Sequence, residues 1–119
     1  MKEKKIYVCS PLKGDIDTNI KKAQAYCKYV LTHGHIPIAP HIYFPQFMDD
    51  LDKEEREKGL RYGLNALRGC AEIWVFGKRL SDGMRAEVEL AKKLGIKIKR
   101  FSEEMQEYAR EEYSDRQHI

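Results

Sequence analysis

Four short apolar runs alternate along the chain with longer stretches in which apolar residues recur every three or four positions. The short runs cover residues 4–9, 35–39, 72–76 and 96–101, and each has the length of one strand. Strands that alternate with helices are typical of βα units, whose strands pair in parallel. The pattern therefore predicts an α/β domain with a parallel sheet of four to five strands and flanking helices.

The longer stretches predict the helices and their ends. Asp17 or Thr18 is suited to cap the first helix, because each can accept a hydrogen bond from a free backbone N–H. Gly34, Gly69 and Gly95 follow the ends of the first three helices, as glycine does at many helix C-termini. The helices are expected over residues 18–33, 53–68 and 83–95, with a fourth, highly charged one over 103–113.

Length and charge place these elements in one domain. The 119 residues suit a single Rossmann-like domain over 1–102, followed by a charged C-terminal helix or tail over 103–119. The formal charge is +3, but the tail holds six acidic residues against two arginines, so that the body carries about +7. A basic body suits a ligand that bears phosphate, whereas the lysines and arginines are too scattered to favour nucleic acid.

The composition also predicts a location. No apolar run approaches the roughly 20 residues that span a bilayer, and the first residues show no signal-peptide pattern. The cysteines, Cys9, Cys27 and Cys70, form no paired motif, which indicates neither disulfides nor a zinc site. A cytoplasmic protein without membrane contact is expected, with buried thiols; a catalytic Cys9 is the alternative.

The candidate chemistry lies in the segments that follow the strands, because ligands of open α/β sheets bind beyond the carboxyl ends of the strands. Glu87 shares a helix face with Met84 and Ala91, and helical side chains lean towards the N-terminus. Its carboxylate is therefore expected to point into the crevice, the alternative being a partly buried glutamate that caps or pairs locally. Glu72 opens the third strand at its amino end, where the residues alone favour an edge carboxylate away from the ligand.

The connection after the first strand offers groups that could hold a ligand. Ser10, Lys13 and Gly14 combine a hydroxyl, a cation and a permissive backbone, which suits an anionic group or a ribose. Lys13 also fits an ordinary solvated lysine. The connection matches neither GxGxxG nor the P-loop pattern, so classical dinucleotide and Walker sites are not indicated.

The connection over residues 40–50 is unusually aromatic. With His41 and Tyr43 near its start, it suits stacking on a flat base, and equally a hydrophobic plug over the core. No second His or Cys stands at ligand spacing from His41, so a metal site is not indicated.

Three stretches of sequence carry a resemblance to a known family. They are Ile6-Tyr7-Val8-Cys9-Ser10-Pro11, Glu72-Ile73-Trp74-Val75-Phe76-Gly77 and Ser81-Asp82-Gly83-Met84-Arg85-Ala86-Glu87. Together they resemble the nucleoside 2-deoxyribosyltransferase-like superfamily over about residues 4–101. The chain is most similar to the short bacterial and phage branch, in which a Pro-His-x-Tyr-Phe-Pro loop and a Trp-Val-Phe-Gly strand recur.

The resemblance implies a catalytic set of Tyr7, Glu72 and Glu87. Glu87 would attack C1′ of a deoxyribose, Tyr7 would orient Glu87 by a hydrogen bond, and Glu72 would donate or position the proton that leaves with the base. Glu72 stands where the relatives have Asp, and in those relatives the acid reaches the site despite its place before the strand. No metal or other cofactor is implied.

The same resemblance implies contacts to the substrate and leaves its phosphorylation open. Ser81 and Gly83 precede Glu87 at the spacing of the deoxynucleoside 5′-monophosphate hydrolase relatives, whose serines bind phosphate. Asp82 instead matches the transferases and would repel a phosphate. The predicted substrate contacts are Ser10, Pro11, Lys13, Gly14, His41, Tyr43, Ser81, Asp82, Gly83 and Met84.

The predicted function is cleavage or transfer of the N-glycosidic bond of a deoxynucleoside or its 5′-monophosphate through a covalent glycosyl-glutamate intermediate. The expected partners are a small-molecule nucleoside or nucleotide and further copies of the chain. Relatives are dimers or larger, and the helix with Leu60 and Leu64 offers a contact surface. Two alternatives stay open: a module that binds a nucleotide or an NAD derivative without turnover, and an interaction protein of phage or host.

Overall fold

A computed structural model describes residues 2–109 of the chain. Four strands form one sheet in the order β2-β1-β3-β4, and each neighbouring pair is parallel. The predicted α/β fold is therefore confirmed. The elements are β1 (Lys5–Cys9), α1 (Ile16–Thr32), β2 (Ile36–Ile38), α2 (Pro40–Tyr43), α3 (Lys53–Arg68), β3 (Glu72–Phe76), α4 (Asp82–Leu94) and β4 (Lys97–Phe101).

The first helix begins earlier than the sequence suggested. Asp15 caps α1, because its carboxylate accepts hydrogen bonds from the Thr18 backbone N–H at 3.2 Å and the Thr18 hydroxyl at 2.8 Å. The prediction of Asp17 or Thr18 as the cap was wrong, since both lie inside the helix. The carboxylate of Asp15 reaches the backbone N–H three residues on, which is the usual geometry of a helix cap.

Two layers of helices cover the two faces of the sheet. On one face, α1 packs Tyr26 and Val30 against a cluster of strand residues: Ile6, Val8, Trp74, Phe76 and Phe101. On the other face, α3 and α4 pack Leu67, Met84, Val88 and Ala91 against Tyr7, Cys9, Ile73 and Val75. Because successive strand residues point to opposite faces, neighbours along β1 and β3 belong to different clusters. The two layers are called here the α1 face and the α3/α4 face.

The aromatic connection between β2 and α3 contains short helices that the sequence did not predict. Pro40 opens α2, where its missing N–H costs no hydrogen bond, and a 3-10 turn follows over Phe44–Gln46. Its aromatic and sulfur side chains pack on α3, since a Cβ built at Gly59 would meet the Met48 side chain at 2.7 Å. The segment is therefore held against the α3/α4 face.

The segment after β4 is not helical as far as the structure describes it. The Glu107 backbone bridges to Phe101 in antiparallel fashion, and the Tyr108 N–H donates to the Arg100 carbonyl at 2.8 Å. Met105 has φ +66° and packs against the α1-face cluster. The predicted helix over 103–113 was thus wrong for residues 103–109, because the chain folds back to pair with the edge strand β4; the remainder lies outside the described residues. Within residues 2–109, no helix combines the length and hydropathy that a bilayer span requires.

Candidate active site

A strand tyrosine and a helix glutamate meet on the α3/α4 face. The Tyr7 hydroxyl donates a hydrogen bond to Glu87 Oε2 at 2.5 Å, across 80 positions of sequence. Tyr7 is 1% exposed, in the middle of β1. Glu87 lies one turn after the buried Met84 on α4, so that its side chain faces the sheet. The structure therefore brings together two of the three predicted catalytic residues.

The surroundings of this pair disfavour charge. Burial raises the pKa of the Glu87 carboxyl, and the hydrogen bonds from Tyr7 and from the Cys9 thiol offset part of that rise. Burial and the adjacent Glu87 charge raise the pKa of Tyr7, so the phenol keeps its proton and stays a donor. Burial likewise raises the pKa of Cys9, which keeps this fully buried thiol neutral and speaks against the alternative of a catalytic Cys9.

A glycine of α3 lies directly over the pair. A Cβ built at Gly63 would lie 3.7 Å from the Tyr7 hydroxyl oxygen and 3.9 Å from the Pro40 Cβ. Gly63 is buried, and only a small side chain would fit between the helix and the phenol. Sequence reasoning missed this residue, although a glycine inside a helix, at a cost of about 1 kcal/mol relative to alanine, is a signal of close approach.

Ser10 and His41 form a second polar pair at the carboxyl end of β1. Ser10 Oγ lies 2.8 Å from His41 Nε2. Burial lowers the pKa of His41 to about 4, so the ring is neutral near pH 7. The contact fixes the orientation of the Ser10 hydroxyl just beyond the strand. Both were predicted to contact substrate, and their mutual contact was not predicted.

Glu72 does not lie beside Tyr7 and Glu87, because its side chain is on the opposite face of the sheet. It pairs with Ile6, one residue before the Tyr7–Ile73 pair, and its side chain joins Trp74 on the α1 face. Its Oε1 accepts from the Trp74 indole N–H at 2.9 Å, and its Oε2 accepts from Lys4 Nζ at 3.2 Å. Strand alternation and its place at the amino end thus separate Glu72 from Glu87. The catalytic role implied for Glu72 is not supported, and the edge carboxylate favoured by the residues alone is what the structure shows.

The electrostatics of Glu72 fit a structural role. Burial by itself would raise its pKa, but the Trp74 N–H and the Lys4 and Lys99 ammonium groups together outweigh burial and hold the pKa below its ordinary value. Lys4 and Lys99 lie 3.2 and 3.9 Å from the carboxylate oxygens. Glu72 is therefore a stably ionised group that ties β3 to the start of β1 and to β4.

The loop before α4 contributes less side-chain chemistry than the resemblance implied. The Ser81 hydroxyl accepts from the Met84 backbone N–H at 3.3 Å and so caps α4. Met84 is 2% exposed and packs in the core, so its predicted contact with substrate cannot involve its side chain. Asp82 and Gly83 are exposed in the first turn of the helix.

The remaining predicted contacts differ in their placement. Pro11 is half-buried, Lys13 and Gly14 are exposed, and Gly14 has φ +99°, a conformation that glycine adopts easily. Tyr43 is 60% exposed on α2. Within residues 2–109 no cluster of three His, Cys, Asp or Glu side chains could hold a metal ion.

A crevice opens at the carboxyl edge of the sheet, between the connections that follow β1 and β3. It has a volume of about 330 Å³ and is lined by Ser10, Pro11, Lys22, Gly77, Lys78 and Arg79, among others. Sequence reasoning missed Lys22, Lys78 and Arg79. The position of Lys78 and Arg79 directly after a buried strand was the available signal.

Comparison with solved structures places the fold. The chain superposes on the 2-deoxyribosyltransferase of Bacillus psychrosaccharolyticus with a TM-score of 0.71 at 19% identity, covering 93% of this chain and 80% of that one. The 2-deoxyribosyltransferase of Leishmania mexicana gives a TM-score of 0.59 at 19% identity, covering 83% of this chain and 64% of that one. The predicted deoxyribosyltransferase-like fold is thereby confirmed, whereas the bacterial and phage branch stays a prediction.

Sequence comparison adds a family. No curated protein matches the chain. A family model described as a domain of unknown function, DUF7768, matches residues 4–101, from the residue before β1 to the end of β4. The matched region contains Tyr7, Ser10, His41 and Glu87 and all four strands. The protein therefore belongs to the DUF7768 family, and its domain has the fold of the nucleoside 2-deoxyribosyltransferases.

Proposed function

We propose that this protein is an enzyme that breaks the N-glycosidic bond of a deoxynucleoside or its 5′-monophosphate and transfers the sugar to water or to another base. The observation that carries the proposal is the partly buried 2.5 Å hydrogen bond that the Tyr7 hydroxyl donates to Glu87. A carboxylate held by neutral donors, here a phenol and a thiol, on a largely apolar face is suited to act as a nucleophile. Similarity in fold to solved 2-deoxyribosyltransferases supports the choice of substrate class.

The proposed reaction has two steps. In the first, a Glu87 carboxylate oxygen attacks C1′ of the sugar, and the bond to the base breaks with its electron pair leaving on the base, which takes up a proton from solvent. The result is a glycosyl ester on Glu87. In the second, water or an acceptor base attacks C1′ and gives up a proton to solvent, and the bond between C1′ and the Glu87 oxygen breaks to restore the carboxylate. The partly desolvated Glu87 carboxylate is more reactive than a carboxylate in water. Tyr7 holds Oε2 by its hydrogen bond and so leaves Oε1 for the attack.

The proposal gives Glu72 no step in the reaction. Its carboxylate faces the α1 layer and is held by Trp74 and Lys4. Ser10, in contrast to Glu72, has a role in the proposed reaction. Its hydroxyl is oriented by His41 at the carboxyl end of the strand that carries Tyr7. Ser10 is proposed to position the sugar by a hydrogen bond.

The test is a product assay. The purified protein is incubated with a panel of deoxynucleosides and deoxynucleoside monophosphates, with and without acceptor bases, and free or exchanged base is measured by chromatography. Release or exchange should disappear in Glu87→Ala and persist in Glu89→Ala, a neighbour on α4 that is exposed and paired with Lys92. Mass spectrometry should detect a sugar adduct on Glu87.

Silence of the wild-type protein across the whole panel would refute the proposed reaction. If ligands of the panel then still raised the Tm, the alternative of a nucleotide-binding or NAD-derivative-binding module would take its place, because binding to the folded state alone stabilises it. Activity that survives in Glu87→Ala would refute the role of Glu87 while leaving the reaction class standing.

The same proposal includes assembly into a homodimer or larger homo-oligomer in the cytoplasm. Leu60 is 63% exposed on α3, and Tyr43 and Phe47 are each 60% exposed on the segment packed beside it. Apolar side chains grouped on one surface are typical of subunit contacts. The free thiols Cys9 and Cys70, both buried, suit a reducing compartment. Light scattering should show more than one chain per particle in wild type and a monomer in Leu60→Asp.

A further inference from the structure

Cys9 lies on the same face of β1 as Tyr7, two residues further along the strand. Both side chains belong to the core of the α3/α4 face, where Tyr7 is 1% exposed and Cys9 is 0% exposed. Side chains at alternate positions of a strand point to one face, so the hydroxyl and the thiol are both presented to the helices on that face. β1 therefore offers two uncharged donors, of which the proposed reaction uses only the Tyr7 hydroxyl.

The Cys9 thiol reaches the turn of α4 that precedes Glu87. Cys9 Sγ lies 4.0 Å from the backbone carbonyl oxygen of Met84, three residues before Glu87. Side chains of a helix lean towards its N-terminus, so the Glu87 carboxylate extends back over this same turn. The thiol donates a hydrogen bond to Glu87 there, and the Tyr7 hydroxyl donates to Oε2 of the same group at 2.5 Å. A charged acceptor binds an S–H proton more strongly than the Met84 carbonyl does.

Glu87 meets neutral groups on the elements that pack around it. β3 contributes the apolar Ile73 to this face, and α3 crosses the Tyr7 hydroxyl at Gly63, which has no side chain. Among the described residues, Tyr7 and Cys9 are the groups whose hydrogen bonds act on the Glu87 carboxyl, and both lower the pKa that burial raises. Burial also raises the pKa of Cys9, so the thiol keeps its proton and remains a donor.

A buried cation on β4 lies in the same cross-strand row as the thiol. Val75 pairs with Cys9 on β1 and with Arg100 on β4, so the three residues follow one another across the sheet. The charge of Arg100 opposes the rise in the pKa of Cys9, and burial is the larger effect. Arg100 Nη2 donates to the Gly77 carbonyl at 2.9 Å and to the Lys78 carbonyl at 3.4 Å. Arg100 is thus a charged neighbour of the thiol, and variants that test the thiol must leave it in place.

We propose that Cys9 is a positioning residue of the active site, whose thiol holds the Glu87 carboxylate, together with the Tyr7 hydroxyl, in the orientation that attacks the sugar. The inference rests on the proposed function. Two donors on one strand restrict the rotation that a single hydrogen bond would leave to the carboxylate, and a fixed orientation of the reacting group lowers the barrier. A thiol is a weak donor, so it orients the carboxylate while stabilising its charge less than a hydroxyl would.

The experiment compares Cys9→Ala, which removes the donor, with Cys9→Ser, which replaces it by a stronger one. The pKa of the Glu87 carboxyl is measured by NMR titration of its side-chain carbon, and the initial rate of base release is measured across pH. Cys9→Ala should raise the pKa of Glu87, move the acid limb of the pH–rate profile to higher pH, and lower kcat roughly 2- to 10-fold with KM little changed. Cys9→Ser should move the pKa and the acid limb to lower pH than in wild type, because an O–H donor stabilises a carboxylate more strongly than an S–H donor.

Cys70→Ala and Cys70→Ser are the matched controls. Cys70 is 7% exposed in the same core cluster, and its thiol donates to the Ala66 carbonyl at 3.5 Å. Both Cys70 variants should leave the pKa of Glu87 unchanged. A merely structural role for Cys9 would shift the pKa of Glu87 in the same direction in Cys9→Ala and Cys9→Ser, or in neither, and either result would overturn the proposal.

Each Cys9 variant also decides by itself if the other fails to fold, because the expected directions are opposite. Failure of the inference is separable from failure of the proposed function, since the NMR titration needs no turnover. Base release by wild type with an unmoved pKa of Glu87 in the Cys9 variants refutes only the role of Cys9. Opposite shifts of that pKa in a protein without turnover refute only the reaction.

Discussion

Glu87 and Glu72 lie on opposite faces of the same sheet, and their surroundings differ in kind. Glu87 is partly buried against the α3/α4 face beside the Tyr7 phenol and the Cys9 thiol, and this burial raises its pKa. Glu72 is 6% exposed on the α1 face, where an indole N–H and two lysines hold its pKa low. Among the described residues no lysine or arginine forms an ion pair with Glu87, whereas Lys4 and Lys99 both pair with Glu72.

This contrast is the one expected between a carboxylate that reacts and a carboxylate that stabilises the fold. A compensated carboxylate has its lone pairs committed to donors, so its charge is stable and its reactivity low. A carboxylate that the fold buries without a cation costs stability, which a protein tolerates at functional sites. The contrast supports the proposed catalytic role of Glu87 and a structural role for Glu72, and each of the following predictions tests that division.

The largest expected effect is the loss of activity in Glu87→Gln. The amide cannot form the glycosyl ester, so kcat/KM should fall about a thousandfold or more. Glu72→Gln, which keeps an acceptor for the Trp74 indole, should retain activity when both are assayed below their melting temperatures. The initial rate of base release, measured by chromatography for each variant, is the quantity to compare. An equal loss in the two variants would end the distinction drawn between the carboxylates.

Tyr7→Phe should have the next largest effect. Removing a hydrogen bond to a charged group should lower kcat roughly 10- to 100-fold. The Tyr7 hydroxyl also lowers the pKa of Glu87, so without it Glu87 stays protonated to a higher pH. The acid limb of the pH–rate profile should therefore move to higher pH. Tyr62→Phe, on the exposed side of α3, is the matched control; an unmoved acid limb in Tyr7→Phe would argue against the positioning role.

Glu72→Ala should affect stability instead of activity. It leaves the buried Trp74 N–H without its acceptor, so the free energy of unfolding should fall by about 1–3 kcal/mol in urea titrations. A carboxyl whose pKa is lowered by folding stabilises above its ordinary pKa, and that contribution is lost as the pH falls through the lowered value. The difference in the free energy of unfolding between wild type and Glu72→Ala should accordingly shrink in acid. Glu54→Ala, which removes an exposed pair with Lys58, should cost about 0.5 kcal/mol or less.

The smallest expected effect is a gain of stability in Glu87→Gln near pH 7, of roughly 0.5–2 kcal/mol. Because folding raises the pKa of Glu87, the unfolded chain loses this proton at a lower pH than the folded chain does. At neutral pH the Glu87 carboxyl therefore destabilises the fold. The amide removes this destabilisation and still accepts a hydrogen bond from the Tyr7 hydroxyl. The gain should vanish once the pH falls below the ordinary glutamate pKa. A loss of stability at neutral pH would mean that Glu87 is a compensated group like Glu72.

Much of the scaffold followed from periodicity alone. The predicted strand over 72–76 coincides with β3, and the predicted buried face of α4, with Met84, Val88 and Ala91, is confirmed. Buried parallel strands and amphipathic helices carry their signal within a short stretch of chain. The orientation of Glu87 followed for the same reason, because helical spacing tied it to Met84.

The rest depended on contacts that periodicity does not encode. Placing Glu72 required the register that pairs Tyr7 with Ile73, and only register shows that Glu72 and Tyr7 point to opposite faces. The contact between Ser10 and His41 spans 31 positions and depends on the short helix α2, which the two prolines of that segment concealed. The local residue pattern gave the better account of Glu72 than the resemblance did.

The backbone bridge between Phe101 and Glu107 turns the chain back beside β4, and Glu103 on this returning segment reaches Lys22 at the mouth of the crevice. Residue 103 lies beyond the region 4–101 that the family model matches. A side chain supplied from outside the shared domain thus sets part of the charge inside it. Members of the family with different sequences after the last strand would present different charge at the same opening.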